Sequence, residues 1–145
     1  MIVNIVYGLL TMAICLLLQS LLLVAVLRYY ARHEILVNNP SFWSTLRVLS
    51  SVMIWLVIGN LAQVGIWALQ FRLVGEFPDF NTAFYHSAVN FATLGYGDIV
   101  MSSKHRLLGP LQAINGVLMI GVSTAVLMTA FQDAIKKTGS ARQGE

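Results

Sequence analysis

Charged residues are absent from three long stretches of the chain, residues 1–27, 48–71 and 107–132. Each exceeds the roughly 20 residues an α-helix needs to cross a hydrocarbon core about 30 Å thick. The pattern therefore predicts three transmembrane helices. A fourth uncharged run, Phe80–Gly97, differs in kind. Asn81, Thr82, His86, Ser87, Asn90 and Thr93 make it polar, and Gly95 and Gly97 interrupt its end. It does not suit a lipid-facing span, because non-helical backbone at membrane depth is tolerated only inside protein or along a watery cavity. It reads as a re-entrant half-helix followed by a loop with exposed backbone. By composition alone, an amphipathic segment outside the bilayer fits as well.

Turn and cap residues set the element ends. Arg28-Tyr29-Tyr30 closes the first helix with interfacial side chains. Asn38-Asn39-Pro40-Ser41 is a turn with Ser41 as an N-cap, and Phe42 and Trp43 follow as interfacial aromatics. Gly75-Glu76-Phe77-Pro78-Asp79 breaks the chain after the second helix, with Asp79 or Asn81 expected to cap the half-helix. Gly109-Pro110 opens the third, with proline in the first turn, where its missing N–H costs little. The expected division is a first helix over 1–28, a linker over 29–41, a second helix over 42–71, a half-helix over 80–92, a loop over 93–98, a third helix over 108–137, and a small, polar, frayed tail over 138–145.

Composition agrees with a lipid environment: 57% of residues are hydrophobic, 10% are charged and the mean hydropathy is +0.74. A soluble domain carries about 25% charged residues. The first run is too long for a cleaved signal and has no basic leader, so it is read as a retained helix. The lone Cys15 excludes an intrachain disulfide and reads as a small apolar residue facing lipid or a neighbour. Arg28, Arg32, Arg47, Lys136, Lys137 and Arg142 fall on one side of a three-span topology, and Arg72, Lys104 and Arg106 on the other. The positive-inside rule then places the N-terminus outside and the C-terminus in the cytoplasm. No phosphate loop, metal-ligand cluster or activated nucleophile is present, so the chain is not read as an enzyme. Neither a cofactor nor a nucleic-acid partner is expected. No arginine series at three-residue spacing makes the first helix a voltage sensor.

The loop reads Thr93-Leu94-Gly95-Tyr96-Gly97-Asp98. This string resembles the selectivity filter of the potassium channel family. Ala83–Thr93 is similar to the family's pore helix, and Ala113–Ile120 to the inner helix of voltage-gated members around their hinge glycine. The resemblance spans roughly residues 48–135. It implies an all-α membrane protein in which a pore domain over 42–137 follows one extra N-terminal helix. It further implies a homotetramer in a bilayer, with backbone carbonyls of Thr93, Leu94, Gly95, Tyr96 and Gly97 replacing the hydration shell of K⁺. K⁺ would sit at Thr93, Leu94, Gly95 and Tyr96. Gly95 and Gly97 supply backbone angles closed to L-residues, so that carbonyls turn toward an axis. Leu94 and Tyr96 would pack behind the loop, and Asp98 at the outer mouth would concentrate cations.

The supporting residues depart from the family pattern. Family members carry two tryptophans in the pore helix where this chain has Tyr85 and His86. By resemblance, Tyr85 would bond Asp98, and His86 would approach Tyr96 of the next subunit; packing at the water boundary is the plainer reading. Ala92 replaces a usual threonine, Leu94 a usual Val or Ile, and Val89 stands where some members keep a buried acid. Gly116 matches the hinge position and Gly121 adds a second flexible point, unless both only permit close helix packing. Ser123-Thr124-Ala125 replaces the Pro-containing kink. Asn115 is expected to face the cavity or a neighbouring subunit. Asn60 and Gln63 share a helix face and are expected to bond between helices. The function expected is a K⁺-selective channel in the plasma or inner membrane. A weakly selective cation channel and a non-conducting subunit that uses the module for assembly are the alternatives.

Overall fold

The computed structural model describes residues 2–32 and 42–143. Among them every regular element is an α-helix: α1 (Ile2–Arg32), α2 (Phe42–Leu73), α3 (Phe80–Phe91) and α4 (Leu108–Gln143). Three of these are long and apolar enough to cross a membrane, and the short α3 is not among them. The protein is thus an all-α, multi-pass membrane protein. The turn at 38–41 with its Ser41 cap lies outside the described residues, as does most of the expected linker.

The helix ends follow local chemistry. Asp79 caps α3, its Oδ1 accepting from the Thr82 amide at 2.8 Å and its Oδ2 from the Thr82 hydroxyl at 2.7 Å. At the end of α2 the Gly75 amide donates to Arg72 and the Glu76 amide to Phe71, both at 3.0 Å, with Gly75 at φ +77°. This is a Schellman motif with glycine in its left-handed position. Pro110 sits in the first turn of α4. The expected tail is helical as far as Gln143, and α1 runs on to Arg32. No proline intervenes in either extension, and Gly139 costs a helix only about 1 kcal/mol.

The chain divides into two compact units, and α1, α2 and α4 contribute residues to both. The first comprises Met1–Gln19 and Gly59–Ile120. Its core gathers Cys15 of α1, Trp67, Ala68 and Phe71 of α2, Ala83 of α3 and Leu108 of α4, with Phe77 from the connection. The rings of Trp67 and Phe71 are 5.9 Å apart and tilted, while Phe77 meets Phe71 edge-on at 6.3 Å. Val64, Phe91 and Met119 form a second cluster in this unit. The Gln63 amide donates to Gln19 Oε1 at 2.8 Å, the interhelical bond expected of that face of α2.

The second unit comprises Ser20–Ile58 and Gly121–Glu145. Val26, Val52 and Leu56 are buried together, and Val48, Leu49 and Ala134 form a further cluster. The Tyr30 hydroxyl donates to Asp133 Oδ2 at 2.9 Å, joining α1 to α4. In both units large apolar side chains such as Leu17, Ile54 and Ile135 stay exposed, the surface expected of helices whose solvent is lipid.

Candidate functional site

The site lies in the first unit and begins where α3 stops. The Thr93 amide donates to the Asn90 carbonyl at 3.0 Å, and the Leu94 amide to the Val89 carbonyl at 2.9 Å. This is a second Schellman motif, but its left-handed position is filled by Thr93 at φ +57° instead of by glycine. A β-branched residue there is a true outlier that costs on the order of 1–3 kcal/mol and persists only when its surroundings hold it. Two glycines with positive φ follow at alternate positions, Gly95 at +59° and Gly97 at +75°. Nothing lies within 4 Å of where a β-carbon would stand on either, so backbone conformation, not space, requires glycine there. Leu94 and Tyr96 do not share the positive φ, so its sign alternates from 93 to 97. Alternating handedness turns successive peptide planes the same way, where an ordinary strand turns them oppositely.

Two neighbours on α3 hold the last residue of this loop and the one after it. The Tyr85 hydroxyl donates to Asp98 Oδ2 at 2.6 Å, the contact that resemblance implied. The Asp98 Oδ1 accepts from the Ile99 amide at 3.0 Å. The phenol beside it, and secondarily that amide, hold the Asp98 carboxyl below the usual carboxylate range. His86 is held within its own chain. Its Nδ1 lies 3.0 Å from the Ile99 carbonyl and must donate, because a carbonyl only accepts. Its Nε2 then accepts from the Asn90 amide at 2.9 Å. Both ring nitrogens are engaged within the chain, and the ring packs 4.9 Å from Phe77 and 5.7 Å from Phe71. No nitrogen is left for a neighbour's tyrosine. The ring is buried because Phe71 and Phe77, both apolar, lie beside it in the fold.

Other expected residues fall as follows. Val89 is buried, and its carbonyl helps terminate α3. Leu94 and Tyr96 are 55% and 65% exposed, so their own chain does not pack them behind the loop. Asn115 is fully buried within its own chain, so its side chain faces neither a cavity nor a neighbouring subunit, the two places expected for it. It faces Cys15 of α1, whose presence beside it the sequence did not reveal. Neither of its amide atoms has a full hydrogen bond among the described residues. Cys15 is likewise buried among protein side chains and does not face lipid. Gly116 is buried and sits so near the end of α3 that a β-carbon on it would lie 2.1 Å from the Phe91 carbonyl oxygen. Gly121 is exposed, with nothing within 4 Å of its β-position.

Two groups of residues were not singled out from sequence. The Ser87 hydroxyl donates to the Val64 carbonyl at 2.7 Å, and the Gln112 amide donates to the Ser87 carbonyl at 3.0 Å. Val64, Ser87 and Gln112, which make this tie between α2, α3 and α4, are all buried. Gln112 stands three residues before Asn115 in an apolar helix, the signal that would have marked it. The second group is a clamp between the α2–α3 connection and the chain after the loop. Glu76 accepts from the Ser102 amide, from the Ser102 hydroxyl at 2.9 Å and from His105 Nδ1 at 2.7 Å. Burial pushes the Glu76 carboxyl up, but the Ser102 and His105 donors outweigh it and leave it lowered. A cleft of about 480 Å³ borders the loop, lined by Val89, Thr93, Gly95, Gly97, Gly109 and Ala113 among others.

A membrane protein whose polar half-helix feeds a glycine-bearing loop has the parts of an ion-conducting pore. A family model described as "ion channel" matches residues 41–133, more than half of the chain, and the chain belongs to that family. The match takes in α2, α3, the loop and most of α4, but not α1. No curated protein and no solved structure matches the chain.

Proposed function

We propose that four copies of this chain assemble into a K⁺-selective pore. The carbonyls of Thr93, Leu94, Gly95, Tyr96 and Gly97 and the Thr93 hydroxyl bind the permeant ion. The observation that carries this reading is the alternation of φ sign over residues 93–97, which favours carbonyls turned to a common side. One loop cannot surround an ion, and closed four-fold symmetry makes each carbonyl a ring. The exposed Leu94 and Tyr96 side chains and the 480 Å³ cleft are features a second copy would cover and fill. Tyr85 and His86 act as struts that hold Asp98 and Ile99, and with Val89 they support the filter from α3. Asp98 stands at the outer mouth as an exposed anion that draws in cations.

The chain lies in the plasma or inner membrane with its N-terminus outside, since six of its nine Lys and Arg residues then face the cytoplasm. Its role is passive conduction, not catalysis, with K⁺ as the permeant ion and no further cofactor. Reconstitution into K⁺-loaded liposomes tests this, with flux compared in K⁺ and Na⁺ and the copy number measured in detergent. Four copies and a strong preference for K⁺ are expected. Equal flux of both ions would make the pore a weakly selective cation channel. Absence of flux would leave the module an assembly device.

A further inference from the structure

In the second unit α1 and α2 enclose a groove of about 500 Å³. Its wall is apolar, formed by Leu21, Val24 and Ala25 of α1 and Trp55 of α2, and it leads to Arg28 and Arg32. Leu21, Val24 and Trp55 are 70%, 47% and 49% exposed, so the groove is open to whatever surrounds the helices. The two arginines stand at i and i+4 on α1, which sets their β-carbons about 6 Å apart on one face. Both are exposed, and among the described residues neither makes an ion pair. We propose that this groove binds one anionic phospholipid, with an acyl chain along Leu21, Val24, Ala25 and Trp55 and the phosphate between Arg28 and Arg32.

Each half of the site excludes a simpler occupant. Two arginines at a helix C-terminus already complement the helix dipole and need no ligand on that account alone. The apolar wall running into them adds the second requirement, a chain covalently joined to the anion. A free phosphate meets the guanidinium pair but leaves the wall bare. A zwitterionic headgroup brings its own cation to the arginines and forfeits most of the attraction. Guanidinium suits the phosphate, because its planar fork donates two parallel hydrogen bonds to paired oxygens. Trp55 and Tyr29 also line the groove, and such amphipathic rings are favoured at the boundary between chains and headgroups. The cationic half belongs to α1, which lies outside the residues matched by the ion channel family. The proposal rests on the membrane assignment and not on ion conduction, so the flux assay above and the assay below fail independently.

The full chain is reconstituted in vesicles of equal phosphatidylcholine and phosphatidylglycerol, extracted in mild detergent, and weighed intact by mass spectrometry to identify retained lipid. The wild type is expected to retain phosphatidylglycerol over phosphatidylcholine. R28Q/R32Q is expected to lose that retention roughly thirtyfold, the factor two surface cations contribute toward an anionic headgroup. A25W narrows the groove with both arginines intact and is expected to lose it as well, while R72Q, outside the groove, retains it. Equal retention of the two lipids by the wild type overturns the proposal, and that measurement needs no variant to fold. So does undiminished phosphatidylglycerol on R28Q/R32Q. Undiminished binding on A25W shows attraction to the headgroup without use of the groove and also overturns it. Loss of assembly on A25W with lipid retained means a second copy fills the groove, which overturns it too.

Discussion

The backbone of Gly116 in α4 lies against the carbonyl of Phe91, the last residue of α3. A β-carbon there would fall 2.1 Å from the Phe91 oxygen, a backbone atom that cannot swing aside as a side-chain tip would. Phe91 stands two residues before Thr93, so this contact seats α4 directly beneath the loop. The glycine at the expected hinge position is thus required by packing, whether or not it also bends.

Gly116→Ala is therefore expected to destabilise the protein by about 1–3 kcal/mol or more, the usual cost of overpacking. Gly121→Ala, with open space at its β-position, is expected to be neutral or to stabilise α4 by up to about 1 kcal/mol. Thermal unfolding in a fixed detergent checks both. Equal effects of the two substitutions would contradict the packing role of Gly116.

Thr93 holds a left-handed backbone where helices ordinarily end on glycine, as α2 does at Gly75. Thr93→Gly is expected to raise stability by about 1 kcal/mol through relief of that strain. If the loop conducts K⁺ as proposed, the same change lowers selectivity, because the side-chain oxygen is lost. A paired measurement of unfolding temperature and K⁺ against Na⁺ flux should show the two quantities moving in opposite directions. Lowered stability would refute the strain argument.

The Tyr85–Asp98 bond predicts a titration shift. Asp98 has a folded-state pKa lowered first by the Tyr85 phenol. Its contribution to stability is complete above the unfolded carboxylate pKa and is lost as pH falls through the lowered value. Tyr85→Phe should move the Asp98 titration back up toward the ordinary carboxylate range, with little change at neutral pH. Infrared spectroscopy of the carboxylate band against pH reads this directly, and an unmoved midpoint would count against the bond.

The Glu76 clamp behaves similarly by a different route. Its carboxyl is also lowered, so its support for the loop is present at neutral pH and fades only as pH falls through that lowered value. Glu76→Gln places an amide N–H₂ against donors that needed an anion. It is expected to cost about 1.5–3 kcal/mol, the scale of hydrogen bonds to a charged group. Hydrogen exchange at the Ser102 amide, which donates to Glu76, should accelerate in this variant at pH 7. Unchanged protection would mean the clamp does not hold the chain after the loop.

Much of the architecture was legible in the sequence because lipid is an unforgiving solvent. The three uncharged runs became α1, α2 and α4, and the polar run became the short α3. Asp79 and Pro110 marked helix starts through local chemistry that needs no distant partner. The Tyr85–Asp98 contact followed from resemblance in the motif. The positions that the sequence leaves open share one feature, a polar side chain in apolar surroundings with several possible partners. Asn115 reads as facing a cavity or a neighbouring subunit, but it is buried with Cys15 of α1 beside it. For His86 resemblance implies a neighbour's tyrosine and composition implies packing at the water boundary, while in the fold Ile99 and Asn90 take both of its nitrogens.

The sequence by itself determined which segments enter the membrane, where they stop, and that a glycine-bearing loop follows a polar half-helix. These are one-dimensional properties, set by runs of apolar residues, by caps and by residues that tolerate positive φ. Only the tertiary structure decided that Thr93, and not a glycine, closes α3, that Gly116 abuts Phe91, and that Glu76 reaches Ser102 and His105. Those relationships join residues up to 29 positions apart, and their energy comes from close approach and from the exclusion of competing partners. Neither is encoded in any single stretch of chain, because a donor's partner is fixed only once the helices have packed.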